Sequence, residues 1–155
     1  MHTIISIDPG KDGGIAVRFP EYTEAYPMPK TFGDIVDLLR SIYAPHPNAV
    51  CYLEKVSGFA GKGHPGSRMF KFGEGFGFLQ GVLMSASAKI VFVRPQEWQK
   101  FFSLGTAAGC TGKREWKNKL KAEAQRRFPT LAVTLKTADA LLLLEYAIAK
   151  EDGRV

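Results

Sequence analysis

Cysteine is scarce in this chain: among 155 residues only Cys51 and Cys110 carry a thiol. Two are too few for a disulfide scaffold, and their spacing matches no zinc pattern, so the sequence reads as that of a protein from a reducing cytoplasm. Also missing is any apolar run of membrane-spanning length or a cleavable signal pattern, which points to a soluble protein that makes no membrane contact and stays where it is made. Acids are the minority charge, 15 against 21 Lys and Arg, and the net charge of +6 favours a polyanionic partner. What is present is ordinary globular material, 45% hydrophobic and 23% charged. A chain of this length can bury a core without a structural metal, so residues 1–155 are expected to form a single domain.

The chain is organised around Ile4 to Val17, two short apolar runs joined by Pro9-Gly10 and Gly13-Gly14. Ile4, Ile5 and Ile7 are β-branched in a run too short for a helix, which predicts a buried strand turning back as a hairpin. Asp8 sits at the hinge. An acid at the mouth of a central strand suits metal binding, and it equally suits capping of the turn through backbone amides.

Tyr22–Pro27 reads as a third strand at a sheet edge, closed off by Pro27 and Pro29. Thr31-Phe32-Gly33-Asp34 opens a helix carried by Ile35, Leu38, Leu39 and Ile42. Ala49–Glu54 is a short buried strand that, like the first, ends in a carboxylate. Lys55 to Arg68 reads as an exposed basic loop containing Phe59, Lys62 and His64.

Met69 to Ala88 is predicted helical, with Phe72, Phe76, Leu79 and Leu83 along one stripe and Gly73, Gly77 and Gly81 along another. The glycines imply close packing on the sheet or on a twin helix in a dimer. Ile90–Val93 is a fifth strand, Pro95 starts a short helix, and core packing accounts for Trp98, Phe101 and Phe102. Ser103–Gly112 is a second loop. Lys113–Phe128 is an amphipathic helix with Trp116, Leu120 and Ala124 on one side and its basic residues elsewhere.

The last helix, Thr137 to Ala149, is apolar nearly all round except for Asp139. An unpaired carboxylate beside that stripe would be expensive, so Asp139 needs a cation, or else Thr137 caps the helix and Asp139 serves its dipole. Asp8, Glu54 and Asp139 thus stand at element ends. If the first and fourth strands are neighbours, their acids converge, and the last helix can add the third. Such oxygen ligands select Mg²⁺ or Mn²⁺ over zinc, and an ion pair about 3.5–4 Å apart supports phosphodiester hydrolysis.

These stretches together resemble the RuvC-type Holliday junction resolvases of the RNase H-like superfamily, especially the small phage and bacterial forms. The resemblance rests on Ile7-Asp8-Pro9-Gly10 with Gly13-Gly14, Leu53-Glu54-Lys55-Val56, Phe72 to Gly77 with Gly81-Val82-Leu83, Val93 to Trp98, and Ala138 to Leu142. It implies an α/β, RNase H-like fold with a five-stranded mixed sheet flanked by helices, in a bacterial or phage-infected cell. It implies a homodimer that nicks a four-way DNA junction symmetrically, using Asp8, Glu54 and Asp139 to hold two Mg²⁺, with Mn²⁺ able to substitute and no nucleotide cofactor.

One departure is plain. The family usually carries a fourth acid or a His shortly before the equivalent of Asp139, whereas this chain has Val133-Thr134-Leu135-Lys136. Lys136 is either a phosphate or transition-state contact replacing one charge of the second metal, or a sign of weakened ion binding or lost activity. Asp12 is a poorer substitute ligand. Lys113, Arg114 and Lys117, with Lys62 and Arg68 of the loop, are candidate DNA phosphate contacts. Phe59 is a candidate for stacking on an unpaired base, and His64 for a proton shuttle. The rival readings are an RNase H-like nuclease acting on flaps or RNA, and a branched-DNA-binding module that does not cut. A sugar-kinase or actin-like phosphotransferase is disfavoured by length, since that architecture needs two such domains.

Overall fold

The computed structural model describes residues 2–55 and 66–155. Its sheet has five strands, β1 (Ile4–Asp8), β2 (Gly14–Arg18), β3 (Thr23–Pro27), β4 (Val50–Glu54) and β5 (Lys89–Val93), in the order β3-β2-β1-β4-β5. β1, β2 and β3 form an antiparallel meander, and β4 and β5 add in parallel on the other side of β1. The helices are α1 (Phe32–Tyr43), α2 (Gly66–Ser85), α3 (Pro95–Phe101), α4 (Lys113–Arg127) and α5 (Ala138–Glu151). This is the mixed α/β arrangement that the residue patterns predict.

Strand alternation divides the core in two. Ile5, Ile7, Ile15, Val17, Cys51 and Leu53 face α1 and α2. Ile4, Ala16, Val50, Tyr52 and Val93 face α3, α4 and α5. By the same period-2 rule Ser6 and Asp8 follow Ile4, and Glu54 follows Tyr52, onto the α5 side. The sheet's central parallel pair therefore delivers two acids to one face.

Local chemistry sets several element ends as expected. Thr31 caps α1, its Oγ1 accepting from the Asp34 amide at 3.1 Å. Pro95 begins α3, where its missing N–H costs nothing. Gly14 is obligatory for a different reason: a Cβ there would lie 2.6 Å from the Lys136 carbonyl oxygen and 2.8 Å from that of Tyr26. The close approach seats the hairpin against the chain entering α5.

Two expectations are corrected. α2 begins at Gly66, so Arg68 lies in its first turn and not in a loop. The glycine stripe of α2 does not pack on the sheet: a Cβ on Gly73, Gly77 or Gly81 would meet nothing within 4 Å, and all three are exposed. Leu79 and Leu83 bury the helix instead. Phe70 (72% exposed) and Met84 (70% exposed) lie on the glycine side of α2, at the helical spacing i, i+3, i+7, i+11, i+14 with Gly73, Gly77 and Gly81.

Candidate active site

Asp8 ends β1 and Glu54 ends β4, and the parallel pairing of Ile7 with Leu53 brings the two ends side by side. Asp139 comes from the first turn of α5 and is 6% exposed. Ser6 explains how α5 reaches them. This fully buried hydroxyl donates to the Ala140 carbonyl at 2.7 Å, tying the helix to β1 next to both Asp8 and Asp139. Ser6 is a functional position that strand patterns do not single out; its one signal in the sequence is a lone polar residue between Ile5 and Ile7.

The electrostatics show that the acids share one environment. Burial raises the Asp8 carboxyl well above the usual range, and the negative charges of Glu54 and Asp139 raise it further. Glu54 is pushed up to about 7, chiefly by burial; the Trp98 indole and Lys117 act in the opposite sense, and Asp139 adds to the rise. Trp98 Nε1 donates to Glu54 Oε2 at 2.7 Å. A residue expected to do no more than fill the core thus touches a candidate site acid.

The cation that Asp139 requires is supplied from within the chain. Lys117 Nζ pairs with Asp139 Oδ2. Burial acts to lower the Lys117 ammonium, but the attraction of Asp139, its hydrogen bond, and the charges of Asp8 and Glu54 hold it above its ordinary value. Lys117, expected to meet DNA phosphate on an outer helix face, sits at the edge of the carboxylate cluster. Thr137 occupies the N-cap position of α5 without a side-chain capping bond, its hydroxyl engaged instead with Thr134.

A hard divalent cation fits the donor set. All three groups are carboxylates, burial and neighbouring negative charge raise the Asp8 and Glu54 carboxyls, and Asp139 Oδ1 is buried without a hydrogen-bond partner among the described residues. As the side chains stand, no three His, Cys, Asp or Glu among the described residues are grouped tightly enough to enclose an ion.

The remaining candidates fall in different places. Lys136 is half-exposed, with Nζ 3.9 Å from Asp12 Oδ1, so the two substitutes considered for a fourth ligand face one another. Lys113 and Arg114 are exposed at the start of α4 and form no ion pair among the described residues, whereas Arg126 and Arg127 near its end are engaged with Glu123. Arg68 is exposed on α2. Phe59, Lys62 and His64 lie outside the described residues.

A mixed five-stranded sheet with acids at the ends of its central parallel strands, crossed by a terminal helix bearing a third acid, defines an RNase H-like α/β fold. Within that class the fold is of the RuvC type. A Thermus thermophilus RuvC structure in complex with Holliday junction substrate superimposes with a TM-score of 0.66 at 15% identity, over 99% of this chain and 97% of that one. A second T. thermophilus RuvC structure gives 0.58 at 14% identity, over 97% and 96%. No protein-family model and no curated protein sequence matches.

Proposed function

We propose that this protein is a divalent-metal-dependent endodeoxyribonuclease that resolves four-way DNA junctions by paired nicks. The observation that carries the reading is the convergence of Asp8, Glu54 and Asp139 on one side of a RuvC-type sheet, where burial and mutual repulsion raise the Asp8 and Glu54 carboxyls despite the nearby Lys117. Asp8, Glu54 and Asp139 would hold Mg²⁺ or Mn²⁺, which when bound supplies Lewis-acid activation of water and charge stabilisation at the scissile phosphate.

The chain's own residues provide the rest. Lys117 offsets the mutual repulsion of the buried acids, and its partly exposed ammonium stands at the edge of the cluster, where a phosphate would meet it. Lys136, beside Asp12, offers a positive charge where related folds place a further ligand. Lys113 and Arg114, exposed and without ion-pair partners among the described residues, are free to bind backbone phosphates, as is Arg68 from α2. Symmetric cutting requires two sites, and the outward stripe of Phe70, Gly73, Gly77, Gly81 and Met84 supports a homodimer formed through α2.

The Lys117–Asp139 pair and the lysine at position 136 also support a second reading, a branched-DNA-binding module that does not cut. One experiment separates them. End-labelled four-way junction, linear duplex and flap DNA are incubated with Mg²⁺, Mn²⁺ or EDTA, alongside Asp8→Asn and Glu54→Gln. Symmetric nicks in the junction that vanish with EDTA and in both variants are the expected result. Binding without cutting would replace the nuclease by the binding module, and preferential flap cleavage would move it to another nuclease class.

A further inference from the structure

Trp98 is completely buried, so its indole N–H needs an acceptor, and any backbone carbonyl would serve. The acceptor it has is Glu54 Oε2, at 2.7 Å. The surrounding fold holds this geometry firmly. Glu54 pairs in register with Val93, so α3 starts beside it and Trp98 lies within the first turn of that helix. Pro95 and the Arg94–Glu97 ion pair at 2.8 Å fix the start of α3, and Phe102 packs edge-on to the indole with ring centres 6.3 Å apart.

We infer that Trp98 is a positioning residue that makes Glu54 a one-oxygen donor and thereby tunes the carboxylate cluster toward Mg²⁺ and Mn²⁺ over Ca²⁺, an inference that rests on the metal-dependent reading above. With Oε2 committed to the indole, Oε1 is the oxygen without a hydrogen bond among the described residues. Chelation through both oxygens would pull Oε2 away and orphan a buried donor. Asp139 is constrained in the same sense, since Oδ2 is taken by Lys117 and only Oδ1 lacks a partner. Ca²⁺ takes six to eight oxygens and readily chelates carboxylates through both; Mg²⁺ demands a compact octahedron of single oxygens at about 2.0–2.1 Å. Two acids that each present one oxygen suit the smaller ion.

The test is calorimetric titration of the full chain with MgCl₂, MnCl₂ and CaCl₂, comparing wild type, Trp98→Phe and Phe102→Leu. Phe102→Leu loosens the same core without touching Glu54. Replacing Trp98 by benzothienylalanine, which keeps the ring shape and lacks the N–H, gives the same comparison with no packing gap. The expected result is a fall of roughly tenfold in the Mg²⁺-to-Ca²⁺ affinity ratio for both Trp98 replacements, with the ratio unchanged in Phe102→Leu. An unchanged ratio on removing the N–H, or an equal change in Phe102→Leu, overturns the inference and leaves the nuclease reading standing. A wild-type chain that binds none of the three ions overturns both.

Discussion

Glu54 is held between opposing influences, burial raising its carboxyl from 4.5 to about 7 while the Trp98 indole works to keep it ionised. The folded chain therefore binds that proton more tightly than the unfolded chain, and the contribution of Glu54 to stability is lost as pH climbs from about 4.5 through about 7. In EDTA, urea denaturation across this range is expected to show wild type weakening, and Glu54→Gln to have a shallower slope and a gain on the order of 1–3 kcal/mol above neutrality. Gln keeps an oxygen for the indole, so the Trp98 contact is preserved. Lys117 makes the reciprocal case. Lys117→Met removes the only charge partner of buried Asp139 among the described residues and is expected to cost about 1–2 kcal/mol in EDTA, the figure lowered for the part of Lys117 that solvent reaches. Thermal melts with and without saturating Mg²⁺ check this, since an ion on Asp139 should narrow the gap to wild type.

At the scale of elements, α2 separates helix stability from assembly. A Cβ at Gly77 meets nothing within 4 Å, so Gly77→Ala should raise the stability of the isolated chain by about 0.5–1 kcal/mol through helix propensity alone. Gly77→Glu places a charge in the middle of the Gly and apolar stripe and should leave a folded chain that sediments as a monomer, whereas the proposed homodimer predicts that wild type sediments as a dimer. Equal sedimentation of the two would remove α2 as the interface. The α2 glycines also illustrate how far residue patterns reach. Their spacing identified a stripe, but close packing on the sheet and outward display have the same helical period. Which one holds depends on the rotation of α2 that buries Leu79 and Leu83.

For the molecule as a whole, the net charge of +6 is less informative than where free positive charge remains. Arg126 and Arg127 are paired with Glu123 and Glu145, while Lys113 and Arg114 stay exposed at the other end of α4. Junction affinity measured against salt should lose about one unit of log–log slope for Lys113→Ala and a similar amount for Arg114→Ala, and should change little for Arg126→Ala. The same contrast explains why a cluster of basic residues in sequence does not define a binding face: ion pairing within the fold decides which charges remain available to a polyanion.

Alternation in β1 and β4 and the end-of-strand acids are properties of local sequence, because a period of two fixes which side chains share a face once a strand forms. By itself the sequence therefore determined the five strands and the order of the elements, and it marked Asp8 and Glu54 as a pair and Asp139 as a buried acid needing a cation. Tertiary structure decided what no local pattern encodes. Lys117 and Asp139 are 22 residues apart, as Trp98 and Glu54 are 44 apart, and the pairs meet only because α3, α4 and α5 pack on the same face of the sheet. A lysine on an amphipathic helix and a tryptophan in a core have the same local signature whether or not they touch a carboxylate. The contact that distinguishes them is made across the fold.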